Sequence, residues 1–164
     1  MKAFIKGFGY AFQGIWYAII HERNMRFHIS LFGYMMFFLL RYDFFVISKV
    51  EFAVLLMMSA LIMAGELINT GIEKAADAAT LEKNPYVKVA KDAAAGGVLI
   101  AAIFSIAVGI IIMFQPEAFR KLFAYYTANP LYIIILIMTL VLDAIFIFVG
   151  PLKIKTLFRG KKND

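Results

Sequence analysis

The sequence predicts an all-α integral membrane protein, and its composition and its apolar runs both indicate this fold class. Of the 164 residues, 63% are hydrophobic, whereas soluble domains have about 45–50% apolar residues. The mean hydropathy is +0.81. The chain is long enough for about four membrane-spanning helices of roughly 20 residues each. It has no cysteine, which excludes disulfide and thiol chemistry. Its two histidines lie apart from any metal-binding motif, which argues against a zinc site.

Residues 1–20 predict an amphipathic helix that lies in the headgroup plane of the bilayer. One face has lysines and tyrosines, including Tyr10, and the other face has phenylalanines and isoleucines, the pattern of an interfacial helix. An ordinary amphipathic helix packed on a protein partner is the alternative. The first span is predicted at about residues 28–40, with Arg26 and Arg41 at its ends able to reach the headgroups.

Three further spans are predicted along the chain. The second begins near residue 52 and continues as a helix through residue 77, longer than a bilayer requires. Asn84-Pro85 separates it from a third helix that starts near Val87 and includes the uncharged run 97–114. A short amphipathic segment at 118–126 precedes a fourth span at 131–149, which Gly150-Pro151 closes before a basic tail.

The distribution of basic residues predicts the orientation of these spans. With a cytoplasmic N-terminus, most of the 17 Lys and Arg residues lie in cytoplasmic segments, as the positive-inside rule requires. The net charge of +6 is thereby explained by membrane topology, and no nucleic-acid partner is expected. This orientation puts the polar end of the second predicted span on the cytoplasmic side.

A stripe of polar side chains lies on that polar end. Glu66, Asn69, Glu73 and Asp77 fall on one side of a helix, whereas residues 52–65 have no charge. An ionised side chain in the bilayer costs about 2.5–3.5 kcal/mol even on insertion scales. The stripe is therefore expected to be buried against other helices, to bind cations, or both. Clustered carboxylates with an amide suit Mg²⁺, which prefers oxygen ligands.

Other polar groups are predicted on the same side of the membrane. They are Glu22, the loop residues 82–84, and Lys91-Asp92, which precede a run of small residues at 93–97. Acidic groups for a metal beside basic groups for phosphate are what phosphoryl transfer requires. The sequence has no P-loop and no protein-kinase catalytic loop. From these residues alone an enzyme, a small cation carrier or channel subunit, and a catalytically idle scaffold all stay open.

Three segments resemble the small prokaryotic diacylglycerol kinase family. Segment 66–73, ELINTGIE, is similar to the family signature E-[IL]-x-N-[ST]-x-I-E, and segment 90–100, AKDAAAGGVLI, resembles the family's A-K-D segment and small-residue helix. Segment 22–28, ERNMRFH, resembles the E-x-N-M-R-x-H stretch of the Gram-positive branch, whose members phosphorylate undecaprenol. The resemblance covers about residues 1–114.

The resemblance implies a homotrimeric lipid kinase of the bacterial plasma membrane that uses ATP and Mg²⁺ and has active sites between subunits. It implies that Glu66 is the general base, that Glu22 and Glu73 hold Mg²⁺ with the ATP phosphates, and that Asn69 orients the reacting groups. Asn24 and Arg26 are expected near the lipid substrate. The positions expected to contact ATP are Tyr10, Glu82, Lys83, Asn84, Lys91 and Asp92.

The resemblance to the Gram-positive branch favours undecaprenol as the lipid, with diacylglycerol as the alternative. The typical family member has three spans per chain, whereas this chain continues through residues 115–164. We therefore expect a kinase core over residues 1–114 and an added fourth span with a basic tail. Asp143 lies within that span. It could form a hydrogen bond between packed helices, serve lipid access or be tolerated without a role, and we favour the hydrogen bond.

Overall fold

The computed structural model describes residues 2–79 and 84–159, and these residues form helices and no strand. The predicted all-α class is therefore confirmed for the described part of the chain. In chain order the helices are α1 (Lys2–His21), α2 (Arg23–Arg41), α3 (Lys49–Ala79), α4 (Pro85–Met113), α5 (Pro116–Ala128), α6 (Pro130–Phe148) and α7 (Gly150–Arg159).

Three of the described helices, α3, α4 and α6, are long and apolar enough to cross a membrane. They match the predicted second, third and fourth spans. The predicted first span lies within α2, a helix of 19 residues that is not among these three and that has arginines at both ends. A total of four spans and the interfacial position of α1 thus stay predictions.

Local capping explains where two of the long helices begin. Before α3, the backbone N–H of Ser48 donates to the Glu51 carboxylate at 2.7 Å, and the N–H of Glu51 donates to Ser48 Oγ at 3.2 Å. This reciprocal arrangement is a capping box, and it starts α3 at Lys49, earlier than predicted. At α4, Asn84 Oδ1 accepts from the N–H of Tyr86 at 2.9 Å, and Pro85 takes the first helical position, which it favours.

The most extensive packing joins α3 and α4 as antiparallel neighbours. A Cβ atom at Gly65 would lie 3.6 Å from Val98 Cγ2, so the two helices approach closely there. Towards one end of the pair, Lys91 forms an ion pair with Asp77.

Helix α2 packs between α3 and α6, antiparallel to both. Ser30 Oγ donates to Asp143 Oδ1 at 2.5 Å, which confirms the expected hydrogen bond between packed helices. A cavity of about 760 Å³ lies beside this pair and extends along α2 to Arg41 and Tyr42.

The far end of α2 is held by aromatic side chains of α5. The hydroxyl groups of Tyr42 and Tyr126 lie 3.0 Å apart, and the Tyr42 ring contacts the Tyr125 ring edge-on with centroids 5.2 Å apart. Burial, with a smaller contribution from the Tyr42 hydrogen bond, raises the pKa of Tyr126 above its ordinary value.

The apolar faces of the long helices are mostly not covered by the chain itself. Only 6% of the most apolar stretch of α4 is buried within the described structure. Lipid or other protein chains must cover these faces, because large exposed apolar surfaces are unfavourable in water.

Helix α7 was not predicted. The chain turns at Gly150, whose φ of 76° lies in the left-handed region that glycine adopts without strain. It then continues as a helix through Arg159, where the sequence predicts only a basic tail. The division into a core of residues 1–114 and an added segment stays a prediction, although hydrogen bonds from α2 to α6 cross that boundary.

We predict that Asp143→Ala lowers the thermal stability of the purified protein in detergent. The loss should be about 1.5–3 kcal/mol, the typical range for a hydrogen bond to a charged group. Thr139→Ala is the matched control, because the Thr139 hydroxyl bonds only the carbonyl of Leu136 in its own helix at 2.8 Å. Equal melting temperatures for the two variants would contradict the proposed contribution of the Ser30–Asp143 contact.

Candidate active site

Glu66 is the centre of the candidate site and is buried within the helix bundle. Its residue surface is 3% exposed, and its Oε1 atom lies 3.7 Å from Nε2 of His28 on α2. Thr70, one turn later on α3, is also buried. A buried carboxylate requires polar neighbours, and His28 is the side chain that faces it most directly.

A cavity of about 290 Å³ opens beside Glu66 between α2, α3 and α4. Its lining includes the polar residues Asn24, His28, Glu66 and Asn69 and the apolar residues Phe27 and Val98. Such a cavity suits an amphiphilic ligand, since a hydroxyl can meet the polar residues while carbon atoms contact the apolar residues. The structure thus brings Asn24, Glu66 and Asn69 together, as the sequence predicts.

Only the nitrogen of the Asn69 side-chain amide has a hydrogen-bond partner among the described residues. Its Nδ2 group donates to Glu73 Oε1 at 3.1 Å, whereas its Oδ1 atom is buried without a hydrogen-bond partner among the described residues. A buried acceptor without a partner costs free energy, of the order of 1–3 kcal/mol. The oxygen is therefore available to a donor or a cation that enters the site.

The turn between α1 and α2, residues 21–23, brings Glu22 close to the end of α3. Glu22 is half-buried, and its charge acts on Lys74 and on Arg26. Lys74 Nζ lies 5.9 Å from the centre of the Tyr17 ring on α1. We call residues 21–23 the α1–α2 elbow; it lies at the same end of the molecule as Glu73, the residue before Lys74.

Four of the remaining residues expected at ATP lie within the described part of the chain. Lys91 is paired with Asp77, Asn84 caps α4, and Asp92 and Tyr10 are exposed. Glu82 and Lys83 lie outside the described residues.

The candidate Mg²⁺ ligands of this chain would need additional ligands to complete the coordination of the ion. Within residues 2–79 and 84–159, no group of three or more His, Asp or Glu side chains is placed to hold a metal ion. Glu22, Glu73 and the free oxygen of Asn69 are oxygen donors of the kind Mg²⁺ takes, and Mg²⁺ usually completes its shell with waters and substrate phosphates. The donor set therefore fits a magnesium ion bound together with a phosphate ligand.

The structure places two residues differently from the sequence-based expectation. Arg26, expected near the lipid, does not line the cavity; its guanidinium is buried and donates to backbone carbonyls. His28, for which the sequence predicted no role in the site, lies beside Glu66. Its spacing of four residues from Asn24, which puts both on one helix face, was the available signal.

Comparison with known proteins agrees with the sequence motifs. Residues 9–113 match the family described as prokaryotic diacylglycerol kinase. An undecaprenol kinase of Bacillus subtilis (strain 168) is 33% identical over 123 residues, 71% of this chain and 92% of that protein. A diacylglycerol kinase of Synechocystis sp. is 34% identical over 110 residues, 66% of this chain and 61% of that protein. No solved structure matches the chain.

The family match covers more than half of the chain and includes Glu22, the Glu66–Glu73 segment and Lys91-Asp92. An enzyme is therefore supported, where the residues alone left a cation carrier open. The chain belongs to the prokaryotic diacylglycerol kinase family and is a lipid kinase.

Proposed function

We propose that the protein phosphorylates undecaprenol with ATP and Mg²⁺ at the cytoplasmic surface of the bacterial plasma membrane. The observation that supports this most is the buried Glu66 carboxylate in a cavity that both polar and apolar side chains line. Such a cavity can receive a lipid hydroxyl beside a base and exclude water from the reaction.

Glu66 is the general base in this proposal. It accepts the proton of the lipid hydroxyl while that oxygen forms a bond to the γ-phosphorus of ATP. The bond from that phosphorus to the β-bridging oxygen breaks, and the products are a lipid phosphate, ADP and a proton. His28, 3.7 Å from Glu66, orients the carboxylate towards the cavity.

Glu22 and Glu73 hold the metal in this proposal, and Asn69 orients the groups between them and Glu66. Magnesium, when bound, would neutralise the phosphate charge and lower its repulsion with the carboxylates. The Asn69 amide fixes Glu73 through the 3.1 Å hydrogen bond, and its free oxygen accepts a donor from the bound ligands.

Basic and polar groups around the cavity bind the nucleotide. Lys91 exchanges its pairing with Asp77 for a phosphate oxygen when ATP binds. Tyr10, Asn84 and Asp92, together with Glu82 and Lys83, complete the nucleotide contacts in this proposal.

Homotrimer formation, with the sites between subunits, is part of the same proposal. It is supported by the large apolar faces of α3 and α4 that the chain itself does not cover.

The choice of undecaprenol over diacylglycerol rests on two observations. Sequence identity does not distinguish the two substrates, since the two relatives are 33% and 34% identical to this chain. The undecaprenol kinase match covers 92% of that protein, against 61% for the diacylglycerol kinase, and segment 22–28 resembles the Gram-positive branch. Diacylglycerol is the alternative substrate.

A panel of lipid substrates tests this function. Purified protein in mixed micelles with ATP and Mg²⁺ should phosphorylate undecaprenol with a higher kcat/KM than diacylglycerol, in amounts equal to the ADP released. Diacylglycerol as the better substrate would change the assignment of the lipid. Phosphorylation of neither lipid by folded protein would contradict the proposal.

We predict that Glu66→Gln lowers turnover by about 100-fold or more, the scale of general-base catalysis. The amide keeps the shape of the side chain but cannot accept the hydroxyl proton, so ATP binding should be largely kept. Glu117→Gln is the control, because Glu117 is an exposed carboxylate on α5. Near-normal turnover of folded Glu66→Gln would remove Glu66 from this role.

We predict that Glu22→Gln and Glu73→Gln each raise the Mg²⁺ concentration needed for half-maximal activity. The double variant should cost less than the sum of the single variants, because the two carboxylates act as one site. The measurement is a Mg²⁺ titration of lipid phosphorylation at saturating ATP. Unchanged titrations in both single variants would refute the metal assignment.

A further inference from the structure

A single buried guanidinium joins the ends of two helices near the elbow. Arg26 is 5% exposed. Its Nε and Nη2 atoms donate to the carbonyl oxygen of Ile147 in the last turn of α6 at 3.2 and 3.0 Å. Its Nη1 atom donates to the carbonyls of Ile19 and Ile20 in the last turn of α1 at 3.3 and 3.1 Å.

The sequence around α6 explains why its end needs this donor. The Ile147 carbonyl would normally accept from the N–H four residues later, but that residue is Pro151, which has no N–H. The last carbonyls of any helix lack partners within the helix and have a partial negative charge. Arg26 supplies both the missing donors and a positive charge to two helix ends at once.

The absence of a side chain at Gly150 leaves space for the guanidinium of Arg26. A Cβ atom at this position would lie 3.1 Å from Arg26 Nη2 and 3.2 Å from Arg26 Cζ. Gly150 also has a φ of 76°, which other residues rarely adopt. Any larger residue at position 150 would therefore press on Arg26 and strain the turn after α6.

The contact connects the C-terminal part of the chain with the residue expected to hold the metal. Glu22 lies two residues after Ile20, and its carbonyl accepts the backbone N–H of Arg26 at 3.3 Å. Ile147 lies beyond residue 113, where the family match ends. The end of α6 thus holds the elbow through one side chain.

We propose that Arg26 is a positioning residue that fixes the elbow against α6 and thereby holds Glu22 at the site of Mg²⁺ and the ATP phosphates. Arg26 acts through Glu22 and touches neither substrate. Helix α6 then belongs to the part of the chain that the kinase needs for activity. This inference rests on the proposed metal role of Glu22.

The test compares variants of the full-length protein that disturb the contact from both sides. Arg26→Gln removes the charge and most of the N–H donors. Arg26→Lys keeps the charge but lacks the planar guanidinium that can donate to both helix ends. Gly150→Ala disturbs the same contact from the other side and changes no residue of α1 or α2. Ser30→Ala is the control, since it removes another hydrogen bond between α2 and α6, to Asp143, further from the elbow.

Each variant is measured for melting temperature, for the Mg²⁺ dependence of lipid phosphorylation and for the KM of the lipid. Arg26→Gln and Gly150→Ala should raise the half-maximal Mg²⁺ concentration by about threefold to tenfold, and Arg26→Lys by less, with the lipid KM within about twofold of the native value. Ser30→Ala should lower the melting temperature without moving the Mg²⁺ dependence.

Folded Arg26→Gln and Gly150→Ala proteins with the native Mg²⁺ dependence would overturn the inference, even if both melt earlier. If Arg26→Gln does not fold, Gly150→Ala alone decides. Glu22→Gln is titrated in parallel. If the half-maximal Mg²⁺ concentration rises in Glu22→Gln but not in Arg26→Gln or Gly150→Ala, only the positioning role is refuted. If it does not rise in Glu22→Gln, the metal role of Glu22 is refuted, and this inference with it.

Discussion

The burial of the Glu66 carboxylate is the constraint on which the rest of the site depends. An ionisable group within an apolar helix costs about 2.5–3.5 kcal/mol on insertion scales, so its helix must present it to polar neighbours and away from lipid. Helix α2 supplies His28 and Asn24, and α3 itself supplies Asn69. The helix packing that places His28 beside this carboxylate also forms the cavity in which a lipid hydroxyl can meet a base.

The antiparallel arrangement of the helices collects the polar groups at one end of the molecule. The starts of α2 and α4 and the ends of α1, α3 and α6 all lie there. Helix ends have unpaired backbone groups and partial charges, and these attract side chains such as Asn84 and Arg26. The other end, around Tyr42 and Tyr126, is held by aromatic packing and contributes nothing to the site.

Much of the fold could be predicted from the sequence, because apolar runs and the Asn84-Pro85 break determine most helices locally. Burial of Glu66 was predictable for the same reason, since its charge lies on an apolar helix. The contact of His28 with Glu66 was not predictable, because it depends on how α2 is rotated against α3. Pro151 indicates an unsatisfied carbonyl at Ile147, but a donor from anywhere in the chain could fill it, so the contact with Arg26 was not predictable.

The most direct test of the central claim is to map where the lipid hydroxyl binds. A polyprenol or diacylglycerol analogue with a photoreactive group beside its hydroxyl is crosslinked to the purified kinase, and the labelled peptides are identified by mass spectrometry. The account predicts labels around Phe27, Asn69 and Val98, which line the Glu66 cavity, and their loss when unlabelled lipid competes. Competable labelling confined to the larger cavity between α2 and α6, near Asp143, would contradict it.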